Sequence, residues 1–298
     1  MKPRVTGVCR LCKNERQLHD SHLLSAGFYR AVSDKTSQNP HPILLMSDGA
    51  VRTSRQIRAH ALCGECEQRL NKRGEDWVLD NFWREAGDFP LRQKLTKAEP
   101  VWTRDGKALY KSSDIAGIDK SKLACFALSI FWRASLVVWP IKGTRSSYIS
   151  LGLKYEENLR KCLLDEAELG RNLSLWIWVS DCAEPLLMAN VPSGVKYDRF
   201  HAYHFTIPGV FFSLVVGAQQ PEVYRQYCFV KSADAPILLT NDFDQSSYKR
   251  LFRRNDLTHL IQLSERGAEN RLAHRTSLAD ADLCRRLIWT LTKKSFNA

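Results

Sequence analysis

Residues 8–30 read VCRLCKNERQLHDSHLLSAGFYR and residues 60–75 read HALCGECEQRLNKRGE. Each stretch holds a C-x-x-C pair, Cys9/Cys12 and Cys63/Cys66, and one Ser-His step, Ser21–His22, stands between them. Two thiolates three residues apart reach one metal ion from a single tight turn. Four thiolates with no hard oxygen among them suit a tetrahedral Zn²⁺ in a closed, structural site. The long interval between the pairs is what such a site needs to clamp a two-stranded element against a helix. Disulfides are the competing reading.

The other cysteines weigh against disulfides. Five of the nine, Cys125, Cys162, Cys182, Cys228 and Cys284, stand alone in mostly apolar settings. An odd, scattered set points to buried thiols in a reducing compartment rather than to a secreted scaffold. The start, MKPRVTGVCRLC, has no apolar run, so no signal peptide is expected and the expected location is cytoplasmic. One window, residues 123–141, is apolar enough to raise a membrane question, but it carries Arg133 near its centre and is barely long enough to span. A buried helix whose arginine reaches a partner or the surface is the better reading, and no membrane association is expected.

At 298 residues the chain can bury a full core and has room for two domains, and its apolar content excludes global disorder. The net charge of +12 is unevenly placed. Residues 1–75 carry 13 Lys/Arg against 7 Asp/Glu, residues 76–245 carry 20 of each, and residues 246–298 carry 11 against 5. A polyanion touching both ends accounts for that pattern, since neutralised phosphates release counterions and drive binding. A basic, soluble surface is the plainer alternative.

Along the chain, residues 5–18 read as a knuckle followed by a strand ending near His22. The polar stretch 33–42, with two prolines, leaves no regular element. A strand is expected over 43–46, a turn over 47–49, and a returning basic strand over 50–58 with Arg52, Arg55 and Arg58. The second knuckle opens a helix expected over 66–86, with Leu70, Trp77, Val78, Leu79, Phe82 and Trp83 at rough helical spacing. Residues 91–121 read as a connector with a hairpin around Asp105–Gly106, separating a zinc-stabilised domain (1–90) from a second domain (122–298). The second domain opens with an apolar helix over 122–138, stopped by Pro140, and an amphipathic helix over 155–169. Short β-rich runs follow at 173–179, 186–189, 201–207, 210–216 and 237–240, with Pro208–Gly209 marking a hairpin turn. Helix returns after 246 and ends in a basic amphipathic helix over 277–293. The fold class is α+β: a small zinc domain, then a larger domain with a mostly antiparallel sheet and C-terminal helices.

At His22 and over residues 63–67 the sequence resembles the HNH family, the zinc-stabilised branch of the His-Me finger (ββα-metal) nucleases. There, two C-x-x-C knuckles hold zinc, an Asp-His pair follows the first knuckle on a strand, and a His or Asn on the helix after the second completes a divalent-metal site. The resemblance covers roughly residues 8–85 and implies a ββα-metal fold with His22 as general base. Three positions depart from the pattern. Ser21 stands where Asp is usual, Glu67 where His directly follows the last cysteine, and Arg58 or its neighbours in the region of the middle Asn. The metal ligands are therefore not carried over unchanged.

The residues themselves supply candidates. Phosphodiester hydrolysis needs a base for water, a hard cation on the phosphoryl oxygens and positive groups around the phosphate. Glu67, Asn71 and Glu75 recur every four residues on the expected helix, and their oxygens suit Mg²⁺ or Mn²⁺. The same carboxylates serve equally as solvated helix residues. His22, Glu67 and Asn71 are the catalytic candidates. Arg52, Arg55, Arg58, Arg69, Lys72 and Arg73, with Arg285 and Arg286 at the basic end, are the candidate phosphate contacts. His60, three before Cys63, is a further substrate contact, while His201 and His204, three apart on a strand, face opposite sides and make a poor metal pair.

The expected function is a metal-dependent, HNH-like endonuclease or nickase acting on DNA, of the kind that serves bacterial defence against phage alongside protein partners. The rivals are a catalytically inactive, zinc-stabilised nucleic-acid-binding module and a zinc-stapled protein–protein adaptor.

Overall fold

Val5–Val8 (β1) and Glu15–His22 (β2) form an antiparallel hairpin closed by the first C-x-x-C turn. The structure, a computed structural model, describes residues 5–33, 43–46, 49–52, 56–136, 149–183, 185 and 189–240. Ala26–Ala31 (α1) follows β2, with the Ser25 hydroxyl accepting from the Gly27 N–H as its cap. Ile43–Met46 (β3) and Gly49–Arg52 (β4) pair as a two-stranded sheet. Arg58–Cys63 (β5) pairs antiparallel with β2, giving the order β1-β2-β5, and runs without a loop into Gly64–Leu70 (α2).

The helix expected over 66–86 is interrupted. After α2 the chain makes a π turn over Asn71–Glu75, with the Asp76 N–H bonded to the Asn71 carbonyl, and Asp76–Asn81 (α3) ends it. Packing at Gly74 accompanies this turn. A Cβ there would stand 2.6 Å from the Phe126 amide nitrogen and 2.8 Å from the Lys122 carbonyl oxygen, so the π turn lies backbone to backbone on a later helix and only glycine fits.

Pro90–Thr96 (α4) precedes Trp102–Arg104 (β6) and Lys107–Lys111 (β7), which form the expected hairpin. Asp105 and Gly106 sit at φ 50° and 72°, the left-handed pair that a two-residue type I′ turn requires. Lys120–Leu136 (α5) is the expected apolar helix, and Leu153–Leu163 (α6) is shorter than the 155–169 expected. Then come Leu173–Ser180 (β8), Asn190–Lys196 (β9), His201–Ile207 (β10), Val210–Val216 (β11), Glu222–Gln226 (α7) and Pro236–Thr240 (β12).

The later strands join β6 and β7 in a seven-stranded sheet, β6-β7-β12-β8-β11-β10-β9, antiparallel at each step except β12–β8. β10 and β11 pair across Pro208–Gly209 as the sequence implies. β9 carries Pro192 and Gly194, which an edge strand tolerates and which hide it from a pattern search. The strand expected over 186–189 lies, apart from Ala189, outside the described residues. On the core face, Phe126 of α5 packs against Phe205 and Phe212, and Phe131 packs against Phe205.

The chain forms two compact units, and they differ from the partition expected at 91–121. One comprises residues 1–32, 56–141 and 145–240, and the other residues 33–55, 142–144 and 241–298. The cysteine-bearing segment and the seven-stranded sheet share the first unit, because the connector supplies β6 and β7 to that sheet and α5 packs on the π turn. The helices expected after 246, with Arg285 and Arg286, lie outside the described residues. Among the described residues no helix is long and apolar enough to cross a membrane.

Candidate metal centre and the histidine beside it

Cys9 and Cys12 sit in the turn between β1 and β2, Cys63 ends β5 and Cys66 lies in the first turn of α2. Their four Sγ atoms lie within 4.8 Å of one another, and none is in a disulfide. A tetrahedral Zn²⁺ with Zn–S bonds of about 2.3 Å needs sulfurs about 3.8 Å apart, so a small inward adjustment completes the site. The turn is built for it. The Cys9 N–H bonds the Asn14 carbonyl, the Lys13 N–H bonds the Cys9 carbonyl, and the Arg10 N–H bonds Ala61 on β5, each at 2.9 Å. Lys13, at φ 63°, closes the knuckle in the left-handed conformation.

The electrostatics fit a cation. Burial pushes the Cys9 thiol up, but hydrogen bonds from the Cys63, Cys12 and Leu11 backbones outweigh it and bring the pKa down to about 7. Burial, then neighbouring sulfurs, hold Cys63 and Cys66 above the usual thiol range. Four thiolates in so small a volume coexist only when a metal neutralises them. The donor set, all sulfur and half-buried or buried, suits zinc.

Register fixes what lies beside the cluster. On β2 and β5, Asp20 faces His60, Ser21 faces Ala59 and His22 faces Arg58. Successive strand residues point to opposite faces. Ser21 is buried toward α2, where its hydroxyl donates to Glu67. His22 turns the other way, and its Nε2 meets Gln56 Oε1. Arg58 donates from Nη2 to the same Gln56 oxygen at 2.9 Å and from Nη1 to Asp20 at 3.3 Å. Asp20, His22, Gln56 and Arg58 thus form one polar group on the face of β2 away from α2, with exposed His60 beside Asp20.

The expected oxygen stripe does not converge. Glu67 is taken by Ser21, while Glu75 lies 3.6 Å from the guanidinium of Arg133, which is 1% exposed. Asn71 begins the π turn, where four-residue spacing no longer keeps side chains on one α-helical face. Among the described residues, the cysteines alone form a cluster of three or more His, Cys, Asp or Glu side chains close enough to hold a metal. Arg69 and Arg73 turn to the end of α6, donating to the Leu164 and Leu163 carbonyls at 3.0 and 2.8 Å and pairing with Asp165. Lys72 is exposed, and Arg52 lies on β4. Arg55 falls outside the described residues, as do Arg285 and Arg286.

Four residues with local roles escape the motif reading. Arg133 also donates to the His22 carbonyl at 3.1 Å, and Arg160 donates to the Leu11 carbonyl of the first knuckle at 2.9 Å. Asp20 and Gln56 hold Arg58. Two had a readable signal: Arg133, isolated in an apolar helix, and Asp20, two residues before His22 on a strand and therefore on its face. His201 is exposed and His204 buried, as their spacing implies. Burial lowers the His204 pKa to about 3, and neither ring nitrogen has a hydrogen-bond partner.

The chain matches no known family model, no curated protein and no solved structure.

Proposed function

We propose that the protein is an HNH-like endonuclease or nickase that hydrolyses DNA phosphodiester bonds, with His22 as general base. The reading rests on one observation: His22 ends β2, which pairs antiparallel with β5, which runs directly into α2, and the four cysteines meet where these elements join. That order of elements accords with the resemblance at residues 8–85. In this reading His22 takes a proton from water, Arg58 neutralises the phosphate, and zinc keeps the strand ends in place without entering the chemistry. A bound Mg²⁺ or Mn²⁺ would polarise the phosphoryl oxygens, and Glu67, the first candidate ligand in the sequence, would have to leave Ser21 to hold it. A role in anti-phage defence, with protein partners, belongs to the same proposal.

Plasmid cleavage with Mg²⁺ or Mn²⁺ tests it. Removal of a positioned base costs ~10²–10⁴ in rate, so His22→Ala should cut that much more slowly while keeping its zinc and its DNA affinity. Equal cutting by wild type and His22→Ala would place the active site elsewhere.

A second reading has its own support. Ser21 occupies Glu67 and Arg133 pairs with Glu75, so both carboxylates expected to bind a divalent cation are engaged within the protein. A zinc-stabilised module that binds nucleic acid without cutting it fits that arrangement. It prevails if neither protein cuts with any divalent metal and both bind DNA with a steep salt dependence.

A further inference from the structure

We infer that Gln56 is a positioning residue: it fixes the tautomer of His22 so that Nε2 carries the proton and Nδ1 presents the lone pair. A guanidinium has donors only. Arg58 Nη2 stands 2.9 Å from Gln56 Oε1, so the atom there is the amide oxygen, and the orientation of the Gln56 side chain is settled by its neighbour. The same oxygen meets His22 Nε2. An oxygen that can only accept requires a proton on that nitrogen. A neutral imidazole has one N–H, so Nδ1 is left as the acceptor.

The surroundings hold this arrangement from both ends. Asp20 pairs with the other nitrogen of the Arg58 fork, which keeps the guanidinium on Gln56. Arg133 holds the His22 carbonyl, so the backbone that carries the ring is anchored from α5. When Nδ1 accepts a proton, the imidazolium still donates through Nε2 to Gln56, so no hydrogen bond breaks as the charge appears. Gln56 touches no reacting atom in this scheme; it acts through His22. Its effect on rate rests on the nuclease reading, whereas the tautomer does not.

Two measurements on the full, zinc-loaded chain test the inference. Long-range proton–nitrogen spectra of histidine-labelled protein, with His22 identified by its loss in His22→Ala, read the tautomer directly. Wild type should show the Nε2–H form. Gln56→Leu should lose that preference, and Gln56→Glu, which keeps an acceptor at the same reach, should retain it. In plasmid cleavage Gln56→Leu should lower kcat by about 10–100-fold, by analogy with metal-ligating histidines that lose their outer hydrogen-bond partner, with KM little changed and Gln56→Glu restoring most of the rate. An Nδ1–H tautomer in wild type, or a tautomer unmoved in a folded Gln56→Leu, would overturn the inference. A wild type with the Nε2–H form that never cuts overturns the nuclease reading and upholds the tautomer assignment.

Discussion

On β2 of the three-stranded sheet a single residue, Ser21, is buried, whereas every residue of β11 and β12 in the seven-stranded sheet is buried. The large sheet is held as most domains are, by apolar surface withdrawn from water at about 25 cal/mol per Å². The small sheet has less such surface, at the Ala61–Cys63 end of β5, and also brings four thiols to one point. The histidines follow suit. His204, in the large sheet, is sealed in and kept neutral by burial. His22, in the small one, keeps polar partners on both its ring and its backbone. A segment fastened at a few strong points can leave its strands lined with working polar groups; one held by burial cannot.

The sharpest way to break this contrast is to remove the metal. In zinc-dependent domains the bound ion supplies about 10–16 kcal/mol of coupled binding and folding free energy. Elemental analysis should find one zinc per chain. Cys63→Ser, or a strong chelator, should expose residues 5–33 and 56–70 to protease first, while the seven-stranded sheet persists longer. Unchanged melting and proteolysis without metal would mean that the small sheet supports itself.

Next in size is the link between the two regions. Arg133 on α5 pairs with Glu75 and holds the His22 carbonyl, so Arg133→Ala strands a half-buried carboxylate and should cost about 3–5 kcal/mol in denaturant unfolding. The double change Arg133→Met/Glu75→Met removes both charges and should recover most of that loss. A cost below about 1 kcal/mol for Arg133→Ala would show that the regions are joined by packing alone.

The smallest effect sharpens the contrast between the histidines. By register His204 faces Ser193 and Ser213, and its ring stacks on Phe211, so no charged group among these can stabilise its cation. Its folded pKa, about 3, lies below the unfolded value of about 6.5. Below pH 6.5 the unfolded state therefore takes up a proton that the folded state refuses. The His204 contribution to stability is flat above pH 7 and falls as pH drops from 6.5 toward 3, by about 2 kcal/mol at pH 5. In His204→Phe the difference in unfolding free energy between pH 7 and pH 5 should shrink by that amount. An unchanged difference would place the acid sensitivity in other groups.

Much of the local architecture is legible in the residues. The two C-x-x-C pairs announce one sulfur cluster, and Asp105–Gly106 and Pro208–Gly209 announce their hairpins. Arg133, isolated in an apolar helix, announces a buried partner. β9 is not legible, because its proline and glycine mask strand character that only an edge position permits. The π turn is equally hidden, since the reason for it at Gly74 is the backbone of α5, some fifty residues away.

The sequence alone determined the cysteine cluster, the turns and the β-branched and aromatic runs of β8 and β10, because these depend on spacing within one turn or strand and on the chemistry of the side chains. Only the tertiary structure decided which partners the polar groups took. Glu67 went to Ser21, Glu75 to Arg133, Arg69 and Arg73 to the end of α6, and His22 to a glutamine outside the motif. Each of these is a contact between residues far apart in the chain. A carboxylate or guanidinium offers the same chemistry to any neighbour, and it is packing that chooses the neighbour.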